Sequence, residues 1–158
     1  MTAPLPPIRP ARPEDEAAIV ALWQACGLTT AYNDPLRDLR FAMAGPASCV
    51  LVAADAAPIG TVMVGHDGHR GWLYYVATAP AWRRRGLGRA LIAAGEAWLA
   101  AQGVPKVQLM IRPNNAAVAG FYAALGYEDT PRRIMARWLA PAGEPQGSDE
   151  AAPHASNP

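Results

Sequence analysis

Arg83-Arg84-Arg85-Gly86-Leu87-Gly88-Arg89-Ala90-Leu91 is the stretch on which the reading of this chain turns. It follows an aromatic run rich in strand formers, Trp72 to Thr78, and opens an alanine-rich segment. In that segment Leu87, Leu91, Ile92, Trp98 and Leu99 recur on one helical face. A loop that enters a helix with two glycines can turn its backbone N–H groups inward. Those donors and the positive end of the helix dipole make a site for phosphate oxygens. Three cations beside a helix start oppose the dipole, so helix stability does not explain the arginines. A dinucleotide fingerprint would need a third glycine where Leu91 stands, and it would follow a first βα unit. No phosphate loop of the GxxxxGK[ST] type is present.

Working toward the N-terminus, Ile59–Gly65 reads as a strand, and Asp67-Gly68 is a hairpin signal that returns the chain as Trp72–Thr78. Cys49–Ala53 is a buried strand, closed by a turn at Asp55–Pro58. Asp34-Pro35 has the form of an N-cap with proline at N1, starting a helix to about Met43. Pro13-Glu14-Asp15-Glu16 starts another, whose buried face is Ile19, Leu22, Trp23 and Cys26, with Gly27 as its stop. Ile8-Arg9-Pro10 ends a short first strand. Toward the C-terminus, Gly103 closes the arginine–glycine helix and Val107–Ile111 is a strand that Pro113 breaks. Asn115 opens a helix with Val118, Phe121, Tyr122 and Leu125 inward, Gly126 ends it, and Ile134–Leu139 is a last strand. The order β-α-α-β-β-β-α-β-α-β defines a mixed α/β layer, an α+β mixed sheet with a central meander.

The chain has 158 residues, which suits one domain, and 51% of them are hydrophobic, which fits a folded one. All 14 basic residues precede position 140, whereas three of the 13 acids (Glu144, Asp149, Glu150) follow it. The body therefore carries a mild net charge of +4, which fits an anionic cofactor better than a nucleic-acid track. Cys26 and Cys49 form neither a metal-ligand spacing nor a disulfide framework and read as buried thiols; no metal is expected. Pro4, Pro6 and Pro7 interrupt any signal-peptide pattern, and no apolar run reaches the roughly 18 residues of a membrane span. The expectation is a cytoplasmic protein that binds neither membrane nor nucleic acid. Residues 1–6 read as a flexible N-terminus, 7–139 as the domain, and 140–158 as a disordered tail of Pro, Gly, Ser, Ala and acid.

Two segments together carry a family resemblance. Arg83-x-x-Gly86-x-Gly88, followed by Asn115-Ala-Ala-Val-Ala-Gly-Phe-Tyr-Ala-Ala-Leu-Gly-Tyr127 one helix and one strand later, resembles the GNAT family of acetyl-CoA-dependent N-acetyltransferases. The order of elements agrees over about residues 7–139. Within the family the chain is similar to YpeA-type bacterial proteins in Tyr32-Asn33-Asp34-Pro35, Gly60-Thr61-Val62-Met63, Asp67-Gly68-His69-Arg70-Gly71 and Tyr74-Tyr75. The resemblance implies the GNAT acyl-CoA N-acyltransferase fold, a central mixed sheet flanked by helices. It implies acetyl transfer from acetyl-CoA to a primary amine by direct attack, with the acceptor a small amine, an amino acid or a protein amine. The alternative is a non-catalytic acyl-CoA-binding module. The resemblance also brings in a homodimer, which no residue of the chain decides.

By the same resemblance, Arg83, Arg84, Arg85, Gly86, Leu87, Gly88 and Arg89 hold the pyrophosphate of the cofactor. Tyr75, Val76 and Thr78 map onto a strand that carries a bulge in the family, where freed N–H groups face the pantetheine and the thioester carbonyl. Asn115 stands seven residues before Tyr122, as in the family pattern, although Val118 replaces a common alanine. Tyr122 would then place its hydroxyl near the CoA sulfur as the catalytic residue. A tyrosine, with a free pKa of about 10, is a weaker acid than a thiol at about 8.5, so full proton transfer would cost roughly 2 kcal/mol. Tyr32, Asn33 and Asp34 fall at the acceptor mouth, with Asp34 also readable as a helix cap. Where some members carry a glutamate base, this chain has Met110. His66, Asp67, His69, Glu128 and Asp129 remain as candidates, and none is singled out. Deprotonation through a water near strand 72–78 is the reading adopted, and Asp67 is expected to serve its turn.

Overall fold

The computed structural model describes residues 4–140. The chain runs β1 (Ile8–Pro10), a 3-10 turn (Pro13–Asp15), α1 (Glu16–Ala25), α2 (Pro35–Ala44), β2 (Ser48–Ala54), β3 (Pro58–His66) and β4 (Gly71–Thr78). A second 3-10 turn (Pro80–Trp82), α3 (Leu87–Ala101), β5 (Val107–Gln108) and α4 (Ala116–Ala124) complete it. The five strands form one sheet in the order β1-β2-β3-β4-β5. The first four are antiparallel neighbours and β5 joins β4 in parallel. This is the mixed sheet expected from the sequence.

Strand alternation splits the core into two layers. In β2, Val50 and Val52 pack toward α1 and α2 with Ile19, Leu22, Trp23 and Leu39, while Leu51 and Ala53 pack toward α3 and α4 with Val62, Leu73, Leu91 and Ile92. A strand buried on both faces reads as a continuous apolar run, which is what Cys49–Ala53 is. Each such aliphatic side chain contributes about 1.5–3 kcal/mol by burial. α3 lies close on the sheet because β4 begins with Gly71. A Cβ there would stand 2.6 Å from Leu99 Cδ1, so only the missing side chain lets the helix approach this far.

The helix starts have local causes. Asp34 caps α2, its carboxylate accepting from Leu36 N at 2.9 Å and Arg37 N at 3.3 Å. Asp15 ties the start of α1 to β1. It takes both guanidinium nitrogens of Arg9 at 2.7 and 3.0 Å and Arg12 N at 2.8 Å, and the bond from Arg9 holds its carboxyl below the usual range. Gly27 ends α1 in the left-handed region at φ 68°.

Two expected strands differ. Pairing of β5 with β4 is confined to Gly71↔Val107 and Trp72↔Gln108, so Leu109–Ile111 lies outside the ladder. Leu109 and Ile111 still pack into the α3–α4 core while Met110 is 49% exposed. The alternation that suggested a strand therefore comes from packing, not from pairing. Ile134–Leu139 forms no strand. Ile134, Met135, Trp138 and Leu139 are exposed, and the segment pairs with no strand among the described residues. At the β5 edge of the sheet only the two residues Val107–Gln108 are paired, which leaves little strand for it to extend. The expected tail beyond residue 140 and the first three residues of the expected flexible N-terminus lie outside the described residues.

Candidate functional site

β4 is paired on both edges only at its start. Past Trp72, β3 continues on one side while β5 departs on the other. At this opening the β3–β4 register shifts. Thr61 faces Ala77 but Met63 faces Tyr74, so Tyr75 and Val76 together oppose Val62. This is a β-bulge, the feature that the family resemblance implies and no spacing in the sequence displays. Tyr75 lies at φ 46°, a conformation strained for a bulky residue. Beyond the bulge, Ala79 N donates to Ile59 O at 2.8 Å. Alternation then turns the Val76 and Thr78 amides toward the edge that β5 has left.

The bulge is braced from the α1–α2 side. Trp23 Nε1 donates to Thr61 Oγ1 at 2.9 Å, and Thr61 Oγ1 donates to the Tyr75 carbonyl at 2.9 Å. The Tyr75 ring stacks on Trp23 with centroids 3.9 Å apart, and its hydroxyl donates to Asp38 Oδ2 at 2.7 Å. Burial first, then the bond to Asp38, drives the Tyr75 hydroxyl far above its ordinary value. From the sequence, Trp23 reads only as a core residue and Thr61 only as part of a family-like strand, and Asp38 is not singled out. Asp38 stands one helical turn from the Asp34 cap, a spacing that places both on one face of α2 and could have drawn attention to it.

The arginine–glycine loop follows the open end of β4. Arg84 at φ 60° and Gly86 at φ 85° both enter the left-handed region, and Gly86 caps α3 there. A Cβ at Gly86 would meet no protein atom within 4 Å, so the position opens to the outside. Arg84, Arg85 and Arg89 are exposed, with the Arg85 guanidinium 5.2 Å from the Trp82 ring centroid. Leu87 and Gly88 are buried. Arg83 departs from the expected pattern of a phosphate-facing side chain. Its Nε donates to the Thr78 carbonyl at 3.4 Å and its Nη2 reaches Cys26 Sγ at 3.8 Å, bracing β4 against α1. Cys26 is buried and Cys49, expected to be, is half-buried; both are free thiols.

On the face of the sheet that α3 covers, Asn115 caps α4, accepting from Val118 N at 3.4 Å. Tyr122 is buried in the α3–α4 core, edge-on to Phe121 at 5.1 Å and to Tyr127 at 5.5 Å. Its hydroxyl makes no hydrogen bond with the described residues, and burial pushes it up to about 12. Tyr127 beside it donates to Glu96 at 2.7 Å. Thr78 Oγ1, also buried, lacks a partner among the described residues.

The remaining candidates separate by position. Tyr32 and Asn33 are half-buried before α2, and Tyr32 meets Trp138 edge-on at 6.2 Å. Asp34 is committed to its cap. Asp67 serves its turn, accepting from His69 N, Arg70 N and Trp72 Nε1; the backbone bonds hold its carboxyl down at about 2. His66 Nδ1 accepts from Gly68 N, and His69 is exposed. Glu128 and Asp129 are exposed after α4. No group of three or more His, Cys, Asp or Glu could hold a metal ion among the described residues, and none of their helices is long and apolar enough to cross a membrane.

The residues present fit an acyl-CoA. The strand edge is open, an orphaned buried hydroxyl stands at Thr78, and the following helix opens at an accessible left-handed glycine. The family profile described as Acetyltransferase (GNAT) family matches residues 16–127. The chain belongs to the GNAT acetyltransferase family. An acetyltransferase of Pectobacterium atrosepticum is 42% identical to this GNAT protein over 122 residues, covering 77% of this chain and 86% of the relative. Among solved structures, AAC(6')-Iy in complex with the bisubstrate analogue CoA-S-monomethyl-acetylneamine superposes with a TM-score of 0.71 at 23% identity, over 85% of this chain and 98% of that one. The aminoglycoside 6'-N-acetyltransferase AAC(6')-IG of Acinetobacter haemolyticus gives 0.67 at 17% identity, over 85% and 99%. These structural likenesses carry the fold. The family makes this GNAT protein an acetyltransferase that uses acetyl-CoA.

Proposed function

We propose that this enzyme transfers the acetyl group to a primary amine by direct attack at the β4 bulge. The observation that carries the reading is the bulge itself, set where β4 loses its second neighbour and followed by a helix that opens at Gly86. In this reading Val76, Thr78 and the backbone of Tyr75 line the pantetheine and the thioester carbonyl. An amide aimed at the carbonyl oxygen stabilises the negative charge that develops on attack. The backbone of Arg83 to Arg89 receives the pyrophosphate at the α3 N-terminus, with charge supplied by Arg84, Arg85 and Arg89. The Arg83 side chain acts instead as a brace for the end of β4.

Tyr122 is the catalytic residue of the proposal, and Asn115 sets the helix that carries it. A hydroxyl at about 12 lies some 3.5 units above a thiol, so complete proton transfer would cost about 5 kcal/mol. Tyr122 therefore acts as a hydrogen-bond donor to the sulfur as charge develops, and solvent takes the proton from the amine. The acceptor enters on the α1–α2 side, past Tyr32 and Asn33, with Asp34 shaping the mouth as a cap. The aminoglycoside enzymes that share the fold act on amines, which supports an amine acceptor here. A cytoplasmic enzyme goes with acetyl-CoA as co-substrate, and a homodimer goes with the family.

Isothermal titration with acetyl-CoA tests the reading, beside dephospho-CoA and NAD. Micromolar binding of acetyl-CoA is expected, with NAD inert. Gly86→Val should lose binding by 10²-fold or more, about 2.7 kcal/mol, because a β-branched residue strains at φ 85° and its side chain fills the space a phosphate needs. Undiminished binding in Gly86→Val would remove the loop from the cofactor site.

A further inference from the structure

We propose that Asp38 recognises a second cationic centre on the acceptor, so that this enzyme prefers diamines and other polycationic amines. The inference rests on the acetyl-transfer reading above and adds to it the class of acceptor. Asp38 is half-buried on α2. Its carboxylate accepts the Tyr75 hydroxyl through Oδ2, and no other donor among the described residues reaches it. No side-chain cation among the described residues pairs with it either. Arg40, two residues on, is committed to Glu16 at 2.8 Å, and Arg9 to Asp15 at 2.7 Å. Asp38 lies in the first turn of α2, where the helix dipole favours a carboxylate, and no side-chain cation among the described residues completes its neutralisation.

The surroundings favour an organic cation over a metal ion. Besides the Tyr75 ring, the half-buried Tyr32 lies in the segment that leads into α2 and packs edge-on against Trp138. Aromatic faces beside a carboxylate attract ammonium groups. Among the described residues, no cluster of acids or histidines surrounds Asp38 to complete a metal shell. The spacing then defines the acceptor. The reacting carbonyl is placed at the Tyr75 backbone, whereas Asp38 lies at the end of the Tyr75 side chain. An ammonium at Asp38 is thus one tyrosine length from the attacking nitrogen and is a second group of the same molecule. Binding energy from that remote group orients the reacting amine.

Asp38→Asn separates recognition from structure, because asparagine still accepts the Tyr75 hydroxyl and keeps the bulge braced. The test is calorimetric titration of the CoA-loaded enzyme with putrescine and with n-butylamine. Wild type should bind putrescine at least tenfold more tightly than butylamine. Asp38→Asn should reduce that preference to less than twofold while leaving acetyl-CoA affinity within twofold of wild type. No putrescine binding to the loaded wild type, or an unchanged preference in Asp38→Asn, overturns the proposal. Loss of acetyl-CoA binding by wild type would instead defeat the acetyl-transfer reading, so the two failures are distinguishable. Tyr75→Phe should weaken putrescine by a few-fold, since the carboxylate stays but loses its positioning bond.

Discussion

The two sides of β4 treat their tyrosines differently. On the α1–α2 side the polar atoms close on one another, from Trp23 to Thr61, Thr61 to the Tyr75 carbonyl, and Tyr75 to Asp38. On the α3–α4 side, Tyr122 sits among aromatic edges with no hydrogen bond to the described residues. Tyr127, on that same side, is satisfied by Glu96, so the difference is specific to Tyr122. The first side spends its hydrogen bonds on holding a strained strand in shape. The second keeps a donor uncommitted, which is what a ligand with developing negative charge requires.

Changing Tyr122 should expose this contrast most strongly. Tyr122→Phe is expected to lower thiol release from acetyl-CoA by about 10²-fold with acetyl-CoA affinity and melting temperature nearly unchanged, because no internal bond is lost. Turnover equal to wild type would remove the uncommitted donor from the mechanism. Thr61→Val should have the opposite profile. It strands Trp23 Nε1 and the Tyr75 carbonyl, both on the braced side, at a cost of about 1–3 kcal/mol in denaturant unfolding. Full stability there would mean that the bulge needs no brace.

A smaller effect sharpens the comparison at alkaline pH. Tyr122 is raised from 10.0 to about 12 by burial, and Tyr75 is raised further, first by burial and then by its bond to Asp38, beside which a phenolate would have to form. A group raised on folding contributes stability that is complete below its unfolded value and is lost as pH rises through its folded value. Ultraviolet titration should therefore show an absorbance step near pH 12 that is missing in Tyr122→Phe, with the braced Tyr75 still protonated there. A Tyr122 midpoint near 10 would mean that its hydroxyl is solvated.

Much of this was readable in the chain itself. Gly86, Gly88 and the arginines around them specify a loop that opens a helix, and Asp34-Pro35 specifies a cap, because backbone freedom and capping act over a few residues. β2 and the faces of α1 and α3 were legible because burial imposes a period that survives in the sequence. The bulge at Tyr75–Val76 was legible only through the family resemblance, since a register shift depends on which β3 residue lies opposite. The same holds for the short β5. Leu109 and Ile111 alternate like a strand, yet whether they pair is decided by β4 turning away. Ile134–Leu139 carried strand-like composition but found no edge to join. Arg83 turned inward and Asp38 met Tyr75 because α1, α2 and β4 converge, across separations of 57 and 37 residues. Local steric and capping preferences are written in neighbouring residues. The bracing of the bulge, the uncommitted Tyr122 hydroxyl and the Asp38–Tyr75 contact exist only once distant segments have packed together.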